Sequence, residues 1–513
     1  MIAQWTKRSR GLHWSSCWGA LLLAVPLIVL LALPTASQSP LRAQPVLLSI
    51  VAERPDAIVS VIVQKQVRDS SIEELATRLG GQITLDLHII NAFGARIPAR
   101  SIPELAGAAG VRWISLDAPM TETGCTPCVS SSALKSAYIR AVKADQVWNR
   151  SPSYLQGQGI GVAVVDSGIQ TQQDLYTSAG QSRIVAAATF NNGYNTSVFD
   201  GYGHGNHVAG IIGGNGARSG GAYMGVAPMV NLINVKVSDD QGASTTSNVV
   251  NGLQWIYENR TRYNIRVVNI SLNSTTAASY HTDPLDAAVE ILWFNKIVVV
   301  VSSGNVGKNA LYPPANDPFV ITVGAVDDRG TPSTQDDVLA NYSGYGTTES
   351  GYAKPDLVAP GSNLVSLMAN RDAALIKAHP ANVVDANNGY FRMSGTSMAA
   401  PVVTGAVALL LQDEPNLTPD QVKYRLRATA RPFDQAQRAG AGYLDVNAAV
   451  LGVTTQSANT GIPASKLLWT GSTPLQWSSA NWNSANWSTA NWSAANWSTA
   501  NWSTANWSSD SWE

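Results

Sequence analysis

Four apolar runs constrain this chain more than any other feature: GIGVAVVD (159–166), VNLINVKV (230–237), IRVVNISL (265–272) and KIVVVVSSG (296–304). They are rich in Val and Ile and lack a sustained apolar–polar alternation, which is the pattern of strands covered on both faces. Helical periodicity appears at residues 247–257, 284–294 and 398–412. Strands of this kind need helices on both sides. Residues 145–452 are therefore expected to form an α/β domain whose mostly parallel central sheet is flanked by helices.

At 513 residues the chain has room for more than that domain. Residues 45–120 carry a separate pattern. AIVSVIVQKQ (57–66) is β-rich, SIEELATRL (71–79) has helical spacing, and a β-rich stretch follows around 83–90. A short helix at 101–109 and a last strand at 111–116 complete a β-α-β-(β)-α-β order, that of a small ferredoxin-like α+β module. Residues 121–144 and 453–476 read as linkers. In the tail, residues 477–513, tryptophan recurs every five positions from 477 to 512 in units such as Ala-Asn-Trp-Ser-Thr.

The N-terminus reads as a targeting segment. Lys7, Arg8 and Arg10 precede an uncharged apolar run at 18–34, and small residues (Ala36, Ser37, Ala43) follow. This order is that of a secretory signal peptide over residues 1–44. An uncleaved anchor is the competing reading, and Pro26 with the small-residue flank favours the signal and export. Cys17 would leave with it. Cys125 and Cys128 form one C-x-x-C with no second pair to complete a zinc site, and are read as structural. The 34 basic and 35 acidic residues create no field that would steer nucleic acid, so a nucleic-acid partner is not expected.

Three short segments carry chemistry. VAVVDSG places Asp166 at the end of a buried strand, where a parallel sheet presents side chains. DGYGHGNHVAGIIGG (200–214) places His204 among glycines at the start of an apolar helix. SGTSMAAPVVTGAVALLL (394–411) places Ser397 just before a helix, with Pro401 in its first turns. A serine hydroxyl is a weak nucleophile and needs a base, and the base needs a carboxylate to hold its tautomer. A helix start offers a backbone N–H to a developing negative charge, and SSGN (302–305) brings the Asn305 amide as a second donor. Singly, an Asp after a strand is a turn residue, a His is structural and a Ser before a helix is a cap; together they are not. His207 reads as a packed helix histidine.

These segments, in the order Asp, His, Ser, resemble the subtilisin-like (subtilase) serine proteases over residues 145–452, with GTSMAAP the most specific motif. The resemblance implies a secreted endopeptidase acting on protein or peptide substrates through Asp166, His204 and Ser397, with Asn305 in the oxyanion hole. It assigns residues 45–120 to a self-removed propeptide that inhibits its own enzyme. Substrate would lie against Ser271, Leu272 and Asn273 on one side and Ser303 and Gly304 on the other. The sequence departs from the family at SLNS (271–274), usually Ser-Leu-Gly-Gly, where Asn273 and Ser274 should narrow or polarise the subsites. Asn206 stands where threonine is usual. No cofactor is implied for catalysis. A structural calcium is compatible with the resemblance, with Asp174 as one carboxylate ligand.

The tail resembles pentapeptide repeats, yet eight units make only two coils at about four units per coil. It also reads as an aromatic segment that binds a cell surface or polysaccharide, or as a flexible end. A surface-binding protein built on the protease scaffold and a serine esterase or amidase are the other functional readings. The complete triad with Asn305 argues against the first, and the extended cleft strand and propeptide against the second.

Overall fold

The computed structural model describes residues 41–118 and 131–468, except 151–152, 192–193, 386–388 and 434–435, together with residues 129, 504 and 505. The expected signal segment up to residue 40, Cys125 with Cys128, and nearly all of the tryptophan repeat lie outside the described residues. Two units are defined by their internal contacts, residues 1–124 and 125–513.

In the first unit α1 (Pro45–Glu53) precedes β1 (Ile58–Lys65), α2 (Ser71–Arg78), β2 (Gln82–Leu87), β3 (Ala92–Pro98), α3 (Ile102–Gly107) and β4 (Val111–Leu116). The strands form one antiparallel sheet in the order β2-β3-β1-β4, a ferredoxin-like arrangement. Alternation in β1 turns Val59, Val61 and Val63 inward against Ile97, Ile102, Leu105 and Ile114. The β-rich stretch around 83–90 resolves into β2 and a 3-10 turn at His88–Ile90. The following strand, β3, contains Gly94 and Pro98, which weaken its strand signal.

The second unit begins with α4 (Ala137–Ala141) and α5 (Asp145–Trp148), then β5 (Gly161–Asp166), β6 (Ile184–Thr189), α6 (His204–Gly213) and β7 (Asn231–Lys236). A two-residue strand, β8 (Ser244–Thr245), opens α7 (Thr246–Asn259). The alternation continues through β9 (Ile265–Ile270), α8 (Pro284–Phe294), β10 (Val298–Ser302) and β11 (Ile321–Asp327). Short edge pieces β12 (Val338–Leu339), β13 (Gly346–Thr347) and β14 (Ala353–Lys354) precede β15 (Leu357–Pro360). A separate antiparallel sheet contains β16 (Leu364–Leu367), β17 (Val383–Asp385) and β18 (Tyr390–Met393), with α9 (Ala374–Ala378) between β16 and β17. Helices α10 (Thr396–Asp413) and α11 (Pro419–Ala428) follow.

The main sheet runs β12-β11-β10-β9-β5-β7-β6, with β15 also paired to β11. Every pairing is parallel except β11 with β12. This is the expected architecture. Helix α6 packs with α10 and α7 with α8, and α10 lies against β9, β10 and β11. All five residues of β10 are buried, as its uninterrupted apolar run requires. α8 begins at Pro284 because Asp283 caps it, accepting from the backbone N–H groups of Leu285 and Asp286.

Ordered packing continues past residue 452. Ala458 N–H donates to the Asp420 carbonyl, and the Tyr280 hydroxyl donates to the Pro463 carbonyl. Ser465 N–H donates to Glu290 Oε2 at 2.7 Å. Glu290 belongs to a group of fully buried carboxyls, with Asp286 on the same helix and Asp317 ahead of β11. Burial, and then the neighbouring Asp317 charge, raises Asp286 and Glu290 well above the usual carboxylate range. Burial also pushes Asp317 up to about 6, restrained by Lys354 and Lys423. Glu290 and Asp317 face each other, an arrangement that suits one carboxylic acid and one carboxylate better than two charges.

A carboxyl whose folded pKa exceeds its unfolded value contributes stability that is complete below the unfolded pKa. That stability is lost as pH rises through the folded value. Glu290→Gln removes the ionisable proton and keeps the acceptor for Ser465. Its gain in melting temperature should therefore be larger at pH 8 than at pH 5 by about 2 °C or more. An equal shift at both pH values would show that ionisation of Glu290 does not limit stability.

Candidate active site

Asp166 ends β5 and His204 is the first residue of α6. His204 Nδ1 lies 2.9 Å from Asp166 Oδ1 and 3.1 Å from Oδ2, and both residues are buried. The contact depends on Gly205. A Cβ there would sit 2.2 Å from the Gly168 carbonyl oxygen and 3.0 Å from Asp166 Oδ1, so any side chain would push the helix off the strand.

Two residues not singled out in the sequence brace the pair. The Ser167 hydroxyl donates to Asp200 Oδ1 at 2.8 Å and lies 3.2 Å from Asp166 Oδ1; it accepts from Gly205 N–H. Asp200 also accepts from Gly203 N–H and Asn206 N–H, which caps the start of α6. Burial pushes Asp200 up to about 6 despite these donors. The available signal was a carboxylate in the segment leading into the helix, three residues before its N-cap, Gly203.

Ser397 is the second residue of α10, whose first residue is Thr396. The Ser397 hydroxyl donates to the Ser271 carbonyl at 3.2 Å. Asn305 Oδ1 accepts from both Thr396 N–H and the Thr396 hydroxyl, each at 2.8 Å. The amide oxygen of Asn305 is thereby committed to the helix start, which turns its NH2 away from those donors. Gly304 N–H donates to the same Thr396 hydroxyl at 3.2 Å. Thr396 thus ties the 302–305 segment to the helix that carries Ser397, a role that only its place inside GTSMAAP hinted at.

Of the five expected subsite residues, Ser271 touches Ser397 and Gly304 touches the adjacent Thr396. Ser271, Leu272 and Asn273 follow β9, and Ser303 and Gly304 follow its neighbour β10. Among the described residues, no backbone group pairs with the main chain of Leu272 or Asn273. The Asn273 side chain spans the gap between the two segments: its Nδ2 donates to the Ser302 carbonyl at 3.0 Å and its Oδ1 accepts from the Ser302 hydroxyl at 3.3 Å. Ser303 is buried, and its N–H donates to the Val323 carbonyl at 2.9 Å.

Asp174 is not placed as a calcium ligand. Its Oδ1 accepts from Arg218 N–H at 2.7 Å and its Oδ2 from the Tyr390 hydroxyl. The buried Arg183 guanidinium donates to the Asp174 carbonyl at 2.7 Å. The donor set does not fit a hard cation that wants six or more oxygens. Among the described residues no group of three or more His, Cys, Asp or Glu side chains could hold a metal. Burial, the leading influence, raises Asp174 above the usual carboxylate range. His207 is buried, and its Nε2 lies 3.1 Å from both the Leu364 and Phe391 carbonyls. Burial, then the adjacent His204, pushes its pKa down to about 3, so it holds two strands of the second sheet as a neutral donor.

The buried Asp166–His204 pair stands at the carboxyl end of β5, and Ser397, in the first turn of α10, touches Ser271 just beyond the carboxyl end of β9. The profile of the Subtilase family matches residues 157–457. Serine protease AprX of Bacillus subtilis is 40% identical over 285 residues, covering 54% of this chain and 62% of AprX. Subtilisin DY of Bacillus licheniformis is 33% identical over 317 residues, covering 61% of this chain and 97% of the relative. Fervidolysin from Fervidobacterium pennivorans, described as a keratinolytic enzyme related to subtilisin, shares the fold at a TM-score of 0.50 and 24% identity, over 79% of this chain and 62% of that one. The chain belongs to the Subtilase family, and by class it is a subtilisin-like serine endopeptidase.

Gly205→Ala should lower kcat/KM on a soluble peptide by about a hundredfold, the scale expected when catalytic groups move by about 1 Å. Steady-state kinetics beside circular dichroism would check this. Unchanged kinetics would mean that the Asp166–His204 contact tolerates a side chain at 205.

Proposed function

We propose that this protein is an exported endopeptidase, made as an inactive precursor, in which Ser397 is the nucleophile, His204 the general base and acid, and Asp166 the residue that orients the imidazole. The observation that carries the reading is the buried pairing of His204 Nδ1 with the Asp166 carboxylate. It keeps the proton on Nδ1 and leaves Nε2 as the basic nitrogen.

The Ser397 oxygen forms a bond to the scissile carbonyl carbon as its proton passes to His204 Nε2. The carbonyl oxygen becomes an oxyanion held by Asn305 Nδ2–H and the Ser397 backbone N–H. Collapse breaks the C–N bond, and the leaving amine takes the proton from His204. Water then repeats the sequence on the acyl-enzyme, with His204 again as base. The commitment of the Asn305 oxygen to Thr396 supports this role, because it fixes which end of the amide faces outward.

The unpaired main chain at Leu272 and Asn273 supports a peptide substrate bound as an added strand. The Asn273 bridge to Ser302 narrows the space beside the nucleophile and lines it with an amide, in place of the bare backbone of a glycine. The ferredoxin-like unit is the proposed propeptide and intramolecular inhibitor. The tryptophan tail is the proposed surface-binding element.

Ser397→Ala should reduce casein hydrolysis by at least about 10⁴-fold while leaving a folded protein that keeps residues 45–120 attached. Activity assays and intact mass would read both effects. Comparable cleavage by the variant would remove Ser397 as nucleophile, and equal processing in both proteins would point to another protease.

Truncation after Leu468 keeps the contacts of Ser465 with Glu290 and removes the repeat. The shortened enzyme should match the full chain on a soluble peptide but no longer sediment with insoluble polysaccharide or cells. Loss of peptide cleavage would place the tail in the catalytic fold. Unchanged sedimentation would deny it a binding role.

A further inference from the structure

Helix α10 carries a proline in its interior, Pro401. A proline at position i has no N–H for the carbonyl at i−4, and here that carbonyl belongs to Ser397. The nucleophile's own carbonyl thus loses its regular helical donor inside a buried site. An unsatisfied carbonyl in such a place is costly, and the donor comes from another element. The Ser271 hydroxyl, just beyond β9, donates to the Ser397 carbonyl at 3.0 Å.

The hydroxyl is itself held. Asn269 Nδ2 donates to Ser271 Oγ at 2.9 Å, and the Thr404 hydroxyl donates to Asn269 Oδ1 at 2.8 Å. Asn269, Ser271 and Thr404 are all buried. Every donor in this row points the same way, from Thr404 through Asn269 and Ser271 to the Ser397 carbonyl. The sequence separation of Thr404 and Ser397 is about two helical turns, so both lie on the face of α10 that meets β9. Ser271 and Ser397 are also joined a second time, because the Ser397 hydroxyl donates to the Ser271 carbonyl. Each hydroxyl meets the other residue's carbonyl.

We propose that Ser271 is a positioning residue for the nucleophile: its hydroxyl stands in for the backbone donor that Pro401 removes, and Asn269 and Thr404 keep it aimed there. This rests on Ser397 being the nucleophile and goes beyond the subsite role expected for Ser271. With Asn305 holding the Thr396 N–H and hydroxyl, the first turn of α10 is then located by two strand ends as well as by its own ladder.

A double-variant cycle tests the assignment. Ser271→Ala should lower kcat on a soluble peptide by about tenfold to a hundredfold, with KM changed much less. The rate at which a fluorophosphonate labels Ser397 should fall in parallel. Pro401→Ala restores a backbone N–H for the Ser397 carbonyl. The double variant should therefore recover kcat to within about threefold of Pro401→Ala alone, a non-additivity that a purely structural loss would not produce. Ser271→Thr, which keeps a hydroxyl, should retain most of the labelling rate, and it carries the test with Thr404→Val if the alanine variant does not fold. Thr404→Val should then slow labelling relative to wild type. A double variant no faster than Ser271→Ala, or labelling rates equal to wild type in Ser271→Ala and Thr404→Val, overturns the proposal. Activity surviving Ser397→Ala would instead overturn the nucleophile assignment on which it rests.

Discussion

The approach of α6 to the end of β5 is the constraint on which the site depends. His204 reaches Asp166 only because the next residue has no side chain, with the Gly168 carbonyl in the place a Cβ would take. That proximity also crowds polar groups into a buried volume. Asp166, Ser167 and Asp200 lie together there, and each must find donors within the fold. The Ser167 hydroxyl touches both carboxylates, and the α6 N–H groups complete Asp200. The helix start therefore presents the imidazole and also neutralises the carboxylate that braces it, through hydrogen bonds in place of a counter-ion.

The helices that carry His204 and Ser397 begin in the same manner. Neither α6 nor α10 has its cap satisfied by the side chain of its own N-cap residue, which is Gly203 in one and Gly395 in the other. Acceptors come from elsewhere: Asp200 for α6 and Asn305 for α10. Each acceptor fixes its helix start to the segment that carries it, the approach to α6 in one case and the segment after β10 in the other. Fold and site are coupled at these points, since the bonds that terminate the helices also set the distances between reacting groups.

Much of this was legible in the sequence where burial is uniform. β5, β7, β9 and β10 appear where Val, Ile and Leu dominate a run, and α8 begins and ends as its periodicity and Asp-Pro start require. Strands β16 to β18 had no such signal, because they are only three or four residues long and Arg392 and Asp385 interrupt the pattern. The triad segments were visible because glycines and small residues cluster around one polar residue. Their supports were not. Asn269 and Thr404 sit inside apolar runs, where one polar residue looks like noise until the opposite element supplies its partner. The partners of Asp174 were hidden for a related reason: Tyr390 and Arg218 are distant in sequence.

The treatment of buried charge separates the site from the rest of the domain. Asp356 is fully buried, and although burial alone would raise its pKa, Lys354 and Lys423 hold it at about 2. Lys423 in turn donates to the Pro318, Phe319 and Val320 carbonyls, while burial brings its own pKa down to about 7. Around α8 the opposite holds, and burial with the neighbouring Asp317 raises Asp286 and Glu290 well above the usual carboxylate range. The two solutions meet at Asp317, which is pushed up by burial and restrained by the same lysines. At Asp166 the partner is an imidazole, that of His204. A permanent cation beside that carboxylate would satisfy it equally well and would compete with the imidazole for it. The Ser167 N–H donates to Asp166 Oδ1, and the Ser167 hydroxyl beside that carboxylate is fixed in turn by the Gly205 N–H of α6, so the neighbours here are hydrogen-bonding groups.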